Sequence, residues 1–277
     1  MVFEQLIRVH WLERRPLAAF MIGVAYSVLG ILFARFIFAG NPGLAAVAFI
    51  SLLILPSVSK LLLEEENAEI REKKFSLQML VKDHKDIMEI YFFLFLGIFL
   101  TFAVIAAIFP QQAVIKLFQE QLTILANYRG YALSFDNPLW SIMFNNLKIA
   151  VICFIMSFFY GAGGILLIVW NASVWGAITG YIVSEAAASG QGSLFVIFFL
   201  TLLPLLPHMI IEVASYFFAA VSGGVISKAT LREKVGSKKF HHVMTDGLLF
   251  IALSIIFVIV GAVVETKVFP VLFRWLT

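Results

Sequence analysis

The sequence predicts an all-α fold: a polytopic transmembrane helical bundle of about seven spans, with one kinked or broken helix. Three observations predict it. Of the 277 residues, 61% are hydrophobic and only 13% charged, with a mean hydropathy of +0.97. A soluble domain carries about 25% charged residues and has no water-facing surface for so much apolar material. The apolar residues also fall in runs long enough to cross a hydrocarbon core of about 30 Å, which takes about 20 helical residues. Finally, the basic residues between the runs form three clusters that share one side of the membrane if the spans number seven.

The chain opens with Arg8, Arg14 and Arg15, followed by an apolar run from Pro16 to Ala39. That run is too long for a signal-peptide core and reads as an uncleaved anchor. Asn41, Pro42 and Gly43 turn the chain, and a second run from Leu44 to Leu63 follows, kinked at Pro56. Residues 1–63 thus form an N-terminal transmembrane hairpin. Residues 64–89 hold Arg71, Lys73, Lys74, Lys82 and Lys85 among several acids. Phe75, Leu77, Leu80, Val81 and Ile87 give this charged loop a partly amphipathic helix at the cytoplasmic interface.

A third span covers Ile90 to Phe109 and is closed by Pro110. Between Gln111 and Trp140, the spacing of Val114, Leu117, Phe118, Leu122 and Leu125 predicts a short amphipathic helix. Asp136, Asn137 and Pro138 end it. The fourth span runs from Leu147 to Trp170, with Gly161, Gly163 and Gly164 inside it as helix-packing positions; Asn171 opens a turn. The fifth runs from Ser173 to Ala188, with Gly176 and Gly180 in the same packing role. Leu194 to Ile226 would be roughly 50 Å long as one helix, and Pro204 and Pro207 within it predict a break or strong kink. Lys228, Arg232, Lys234, Lys238 and Lys239 follow, and the last span covers Gly247 to Glu265. Trp11, Trp140, Trp170, Trp175 and Trp275 fall near span ends, as interface anchors do.

The N-terminus, the 64–89 loop and the Lys228–His242 loop are then cytoplasmic, and the 111–140 segment faces outward in a multi-pass protein of the cell membrane. The net charge of +3 reports this orientation and not nucleic-acid binding. Cys153 is the single cysteine, so an internal disulfide and a cysteine metal cluster are both excluded.

Ionisable and amide groups inside apolar runs are costly and mark sites. Asn145, Asn146, Glu185, His208 and Glu212 are the candidates, all placed by the alternating spans in the outer leaflet. His208 and Glu212 are four residues apart, on one helix face. Three readings compete: helix-bridging polar glue, a ligand-binding pocket for a lipid or peptide group, and a metal or proton site. If a metal binds, His208 and Glu212 are its candidate ligands, although the pair supplies only two and lacks the H-E-x-x-H spacing of zinc proteases.

The order Asn145-Asn146-Leu147, Gly161-Ala162-Gly163-Gly164, Asn171 and Gly176, followed by Leu206-Pro207-His208-Met209-Ile210-Ile211-Glu212 and Gly223-Gly224, resembles the stage II sporulation protein M family. The family shows a Pro-His-Gly-x-x-Glu-like element; here Met209 stands in place of its glycine. The resemblance covers Ile90 to Ile226 and extends to a core of residues 90–277, with the N-terminal hairpin as an addition. It implies an integral membrane scaffold: the sporulation member is a polytopic component of a complex that acts with cell-wall hydrolases during engulfment, and relatives occur in organisms that do not sporulate. The expected partners are membrane lipids and either further copies of the chain, as a homo-oligomer, or other membrane proteins. Two alternatives remain: a transporter or lipid-handling protein using the outer-leaflet polar pocket, and a metal-dependent intramembrane hydrolase. No residue pattern identifies a cofactor, and none resembles a nucleotide-binding loop, a Ser/His/Asp set or a CxxC pair.

Overall fold

A computed structural model describes residues 16–38, 40–69, 85–131 and 138–276. Ten helices form among them: α1 Pro16–Ile37, α2 Pro42–Glu69, α3 Lys85–Ile108, α4 Gln111–Leu117, α5 Gln119–Tyr131, α6 Pro138–Tyr160, α7 Ile165–Ala188, α8 Leu194–Arg232, α9 Lys238–Lys267 and α10 Phe269–Leu276. Seven of these (α1, α2, α3, α6, α7, α8 and α9) are long and apolar enough to cross a membrane. The chain is therefore a multi-pass α-helical membrane protein. Helices satisfy every backbone N–H and C=O within their own segment, which hydrocarbon demands. The N-terminal arginines and most of the amphipathic helix expected over residues 64–89 lie outside the described residues; Lys85 to Glu89 are the first turn of α3.

The helix ends follow local chemistry. Ser193 caps α8 by accepting from Val196 N at 3.4 Å, and Ser237 caps α9 by accepting from Phe240 N at 3.1 Å. Pro110 stops α3, and the single helix expected after it is two, α4 and α5, which tuck Val114, Phe118 and Gln121 into the bundle. α8 runs uninterrupted through both Pro204 and Pro207. Each proline removes one hydrogen bond from the ladder without ending the helix.

The sharpest difference from the sequence reading concerns the fourth and fifth spans. Gly161, Gly163 and Gly164 do not lie inside a helix; residues 161–164 are the turn between α6 and α7. Asn171 does not open a turn but sits within α7, where its Nδ2 donates to Leu167 O at 2.8 Å. Gly161 has φ +66°, a left-handed conformation open to glycine at little cost. The Gly164 N–H donates to Ser157 Oγ at 3.0 Å, closing the turn from within. Because the whole turn is built of small residues between apolar runs, hydropathy shows no break there.

The spans form two groups. α1 packs on α2 and α3, and α3 packs on α7; α8 packs on α9 and α6, and the α7–α8 contact joins the groups. Glycines set the closest seams. A Cβ at Gly97 would meet the Phe20 carbonyl of α1, and one at Gly23 would lie 2.7 Å from Leu94 O. Gly176 and Gly180 face the Phe99 and Ala103 carbonyls of α3, Gly223 faces Phe154 O of α6, and Gly164 would press its Cβ on Ala220 of α8 at 2.9 Å. Small residues allow such backbone approach, which in a bilayer replaces the hydrophobic drive missing between helices.

Gly176→Leu is therefore expected to destabilise the detergent-solubilised protein by about 3 kcal/mol, at the upper end of overpacking costs. Gly40→Ala, where a Cβ meets nothing within 4 Å, is expected to be neutral. Thermal melts of the two variants check this, and equal melting temperatures would show that the α3–α7 seam does not depend on Gly176.

Candidate functional site

Several of the buried polar groups converge between α6, α8 and α9. Glu212, on α8, is only 6% exposed, and its carboxylate is held from two sides. Tyr216, one helical turn further along, donates its hydroxyl to Glu212 Oε1 at 2.8 Å. Asn146, buried on α6, faces the same carboxyl group from the other side and interacts with it. Behind it, Asn145 Nδ2 donates to Asn146 Oδ1 at 3.4 Å, so the two amides and the acid form a short relay. From α9, the carboxyl of Glu265 lies close enough to Glu212 for the two to interact electrostatically. Gly261, one turn before Glu265, packs α9 beside Glu212, where a Cβ would be in ordinary contact at 3.8 Å from Glu212 N. An isolated buried polar group costs several kcal/mol; here the acid, phenol and amide satisfy one another.

His208 shares the α8 face with Glu212, yet its surroundings are aromatic. Its ring packs 5.4 Å from that of Trp175 on α7 and 5.6 Å from that of Phe269 on α10. It is 2% exposed, and its Nδ1 has no hydrogen-bond partner. Among the described residues, His208 makes no hydrogen bond or ion pair to Glu212; Tyr216 holds the position expected of it. Glu185 is exposed in the last turn of α7, outside the buried group. The structure thus brings together Asn145, Asn146 and Glu212, places His208 one turn away against aromatic rings, and leaves Glu185 apart. Among the described residues, no group of three or more His, Cys, Asp or Glu side chains is arranged to hold a metal ion.

Three residues of this region escape the sequence reading. Tyr216 carries a legible signal, four residues after Glu212 on the same face. Glu265 reads as the boundary of the last span, but α9 continues to Lys267 and α10 carries the chain on from Phe269. Trp175 reads as an interface anchor, but it sits within α7 against His208. Lys148 is a fourth, outside the cluster. It reads as the edge of a span beginning at Leu147, yet α6 begins at Pro138, which moves Lys148 about 15 Å in from the helix start. It lies on the exposed side of α6. The buried side of that helix is the single stripe Asn146, Ala150, Cys153 and Ser157.

A double-mutant cycle separates the contacts around Glu212. Tyr216→Phe and Glu212→Gln, a pair within α8, are expected to couple by about 0.6 to 1.7 kcal/mol, the scale measured for side-chain hydrogen bonds inside a membrane bundle. His208→Ala and Glu212→Gln are expected to add within about 0.5 kcal/mol. A larger coupling for the His208 pair would overturn the assignment of Tyr216 as the partner of the acid.

No curated protein and no solved structure matches the chain. The family described as Stage II sporulation protein M matches residues 90–270, roughly two thirds of the sequence. The match begins at the third span and runs through α10's first residues, so it takes in Asn145, Asn146, His208, Glu212, Tyr216 and Glu265 and leaves the α1–α2 hairpin outside it. An alignment of that extent, over a bundle of membrane-spanning helices, places this chain in the Stage II sporulation protein M family.

Proposed function

We propose that the protein is a non-enzymatic membrane scaffold that organises other membrane proteins or further copies of itself, with α6 as its docking helix. Lys148 carries this reading. A lysine on the exposed side of a span, well inside the helix, costs about 2.5–3.5 kcal/mol at the centre of a lipid-facing helix. Among the described residues it has no ion-pair partner. It lies in a stripe of exposed side chains, Phe144, Ile152, Ile155 and Phe159, at the i, i+4 and i+7 spacing of a helix-packing face. An acidic or amide side chain on a partner's span would neutralise the cation and cover the stripe.

The length of α8 supports the same reading. Its 39 residues span about 58 Å, against a hydrocarbon core of about 30 Å. Even at a tilt of about 40°, part of it extends past the core. The outer end exposes Phe195, Phe199 and Leu203, apolar surface that a partner would cover. The buried cluster around Glu212 then serves as the rigid centre that holds α6, α8 and α9 in register. We further place the protein in the cell membrane with its N-terminus cytoplasmic. The described basic residues Lys234, Lys238 and Lys239 lie at the end of the bundle opposite the α7–α8 turn, and the positive-inside rule makes their end cytoplasmic.

Photo-crosslinking residues placed at Phe144 and Ile152 test the docking helix in native membranes. Discrete protein adducts, diminished by Lys148→Leu, are expected; adducts to lipid alone would sink the proposal. For orientation, in a Cys153→Ala background, Gln191→Cys is expected to react with an impermeant thiol reagent in intact cells. Lys234→Cys is expected to react only after permeabilisation. The reverse pattern would invert the topology.

A further inference from the structure

At the end of the bundle opposite Lys234 and Lys238, the last turn of α1, the start of α2, Pro110 after α3 and the helix α4 line an open cleft of about 550 Å³. Its polar lining is Arg35, Gln112 and Lys116; its apolar walls include Pro42, Pro110 and Leu117. The volume falls in the range of small-ligand sites. The start of α2 beside the cleft is tied down. Gln121, fully buried on α5, donates from Nε2 to Gly43 O at 3.2 Å and to Ser173 Oγ at 3.3 Å. That clamp ties the start of α2 to α5 and α7, and Gly43 lets α2 approach α4, where a Cβ would lie 2.8 Å from Leu117 O. Arg35 and Lys116 are both exposed, and among the described residues neither makes an ion pair.

We propose that this cavity is a phosphate-binding site whose ligand is the headgroup of an anionic phospholipid. Arginine meets a phosphate with two parallel N–H donors, lysine adds a point charge, and a glutamine amide adds a neutral donor. Pro42, Pro110 and Leu117 offer an apolar wall beside the polar end, as the junction between headgroup and acyl chain requires. The position fits as well: α1, α2 and α3 all end or begin here, so the cavity opens where headgroups lie. The site stands on observations separate from those behind the docking helix, because α6 contributes nothing to it. The same donors would accept a free phosphate, and the two sources differ only in the acyl chains.

The test uses the full chain purified in detergent, with and without the double substitution Arg35→Gln and Lys116→Gln. Native mass spectrometry after incubation with equal amounts of phosphatidylglycerol and phosphatidylcholine reads the retained lipid. Melting temperature with inorganic phosphate, against sodium chloride at matched ionic strength, reads the soluble ligand. The expected result is retention of phosphatidylglycerol over phosphatidylcholine, reduced roughly tenfold in the double variant. Stabilisation by inorganic phosphate that the double variant loses, without a lipid preference, would keep the phosphate site and overturn the lipid as its source. Should the double variant fail to fold, Gln112→Glu places a carboxylate on the exposed rim instead and is expected to lower retention in the same direction. Retention and melting that are indifferent to both variants would overturn the site.

Discussion

Lipid is as apolar as a leucine side chain, so helices in a bilayer gain nothing by hiding apolar surface from their solvent. What remains is contact between backbones, and this bundle depends on it. Gly23 and Gly97 bring α1 onto α3, Gly176 and Gly180 bring α7 onto α3, and Gly223 brings α8 onto α6. With the helices that close, dispersion forces act over whole seams, and side chains that could not otherwise meet are brought within hydrogen-bond reach. The relay from Asn145 through Asn146 to Glu212 crosses the α6–α8 interface at a depth where water cannot substitute for a missing partner. Its geometry follows from the glycine seams and reinforces them, since a buried acid that lost Tyr216 or Asn146 would leave polar atoms unsatisfied.

The hairpin ahead of the family region belongs to this same logic. α1 does not float beside the core; its Phe20 carbonyl lies against Gly97, and Ala19 and Ala34 are buried. At the far end, Gln121 ties the start of α2 to α5 and α7 through Gly43 and Ser173. The cavity walled by Arg35 and Lys116 exists because the hairpin is docked at both of these points. The scaffold face and the cavity are consequently on different parts of the molecule, one on α6 and one at the ends of α1 to α4.

Much of this was legible before any coordinates. Span number and the burial of Asn146 and Glu212 follow from hydropathy and from the cost of polar groups in hydrocarbon. What hydropathy misses has physical causes. The α6–α7 turn contains no polar residue to mark it, because glycine in the left-handed region needs none. That error displaced Asn171 and Trp175 from mid-helix to a boundary, and starting the span at Leu147 hid how deep Lys148 lies. The pairing of Tyr216 with Glu212 was visible at four-residue spacing, but a phenol in an aromatic-rich chain attracts no notice beside a histidine. His208 drew attention as the nearest basic group in sequence, while the structure spends its ring on Trp175 and Phe269. Whether two same-face residues bond depends on rotamers and on neighbouring helices, and spacing alone specifies neither.

The turn at residues 161–164 also carries a consequence for biogenesis. It joins α6, which packs on α8 and α9, to α7, which packs on α3. When α7 leaves the ribosome, its partner α3 has already been made and can receive it at once. α6 has no such luck: its partners follow it, and the last of them ends at Lys267. At about 5–20 residues per second, a helix bearing Asn145, Asn146 and Lys148 waits on the order of ten seconds before its neighbours exist. During that interval its amides face either the insertion machinery or lipid. Nascent chains of this protein should therefore linger at the translocon with α6 still held, and the α1, α2, α3 and α7 group should close before α6, α8 and α9 do.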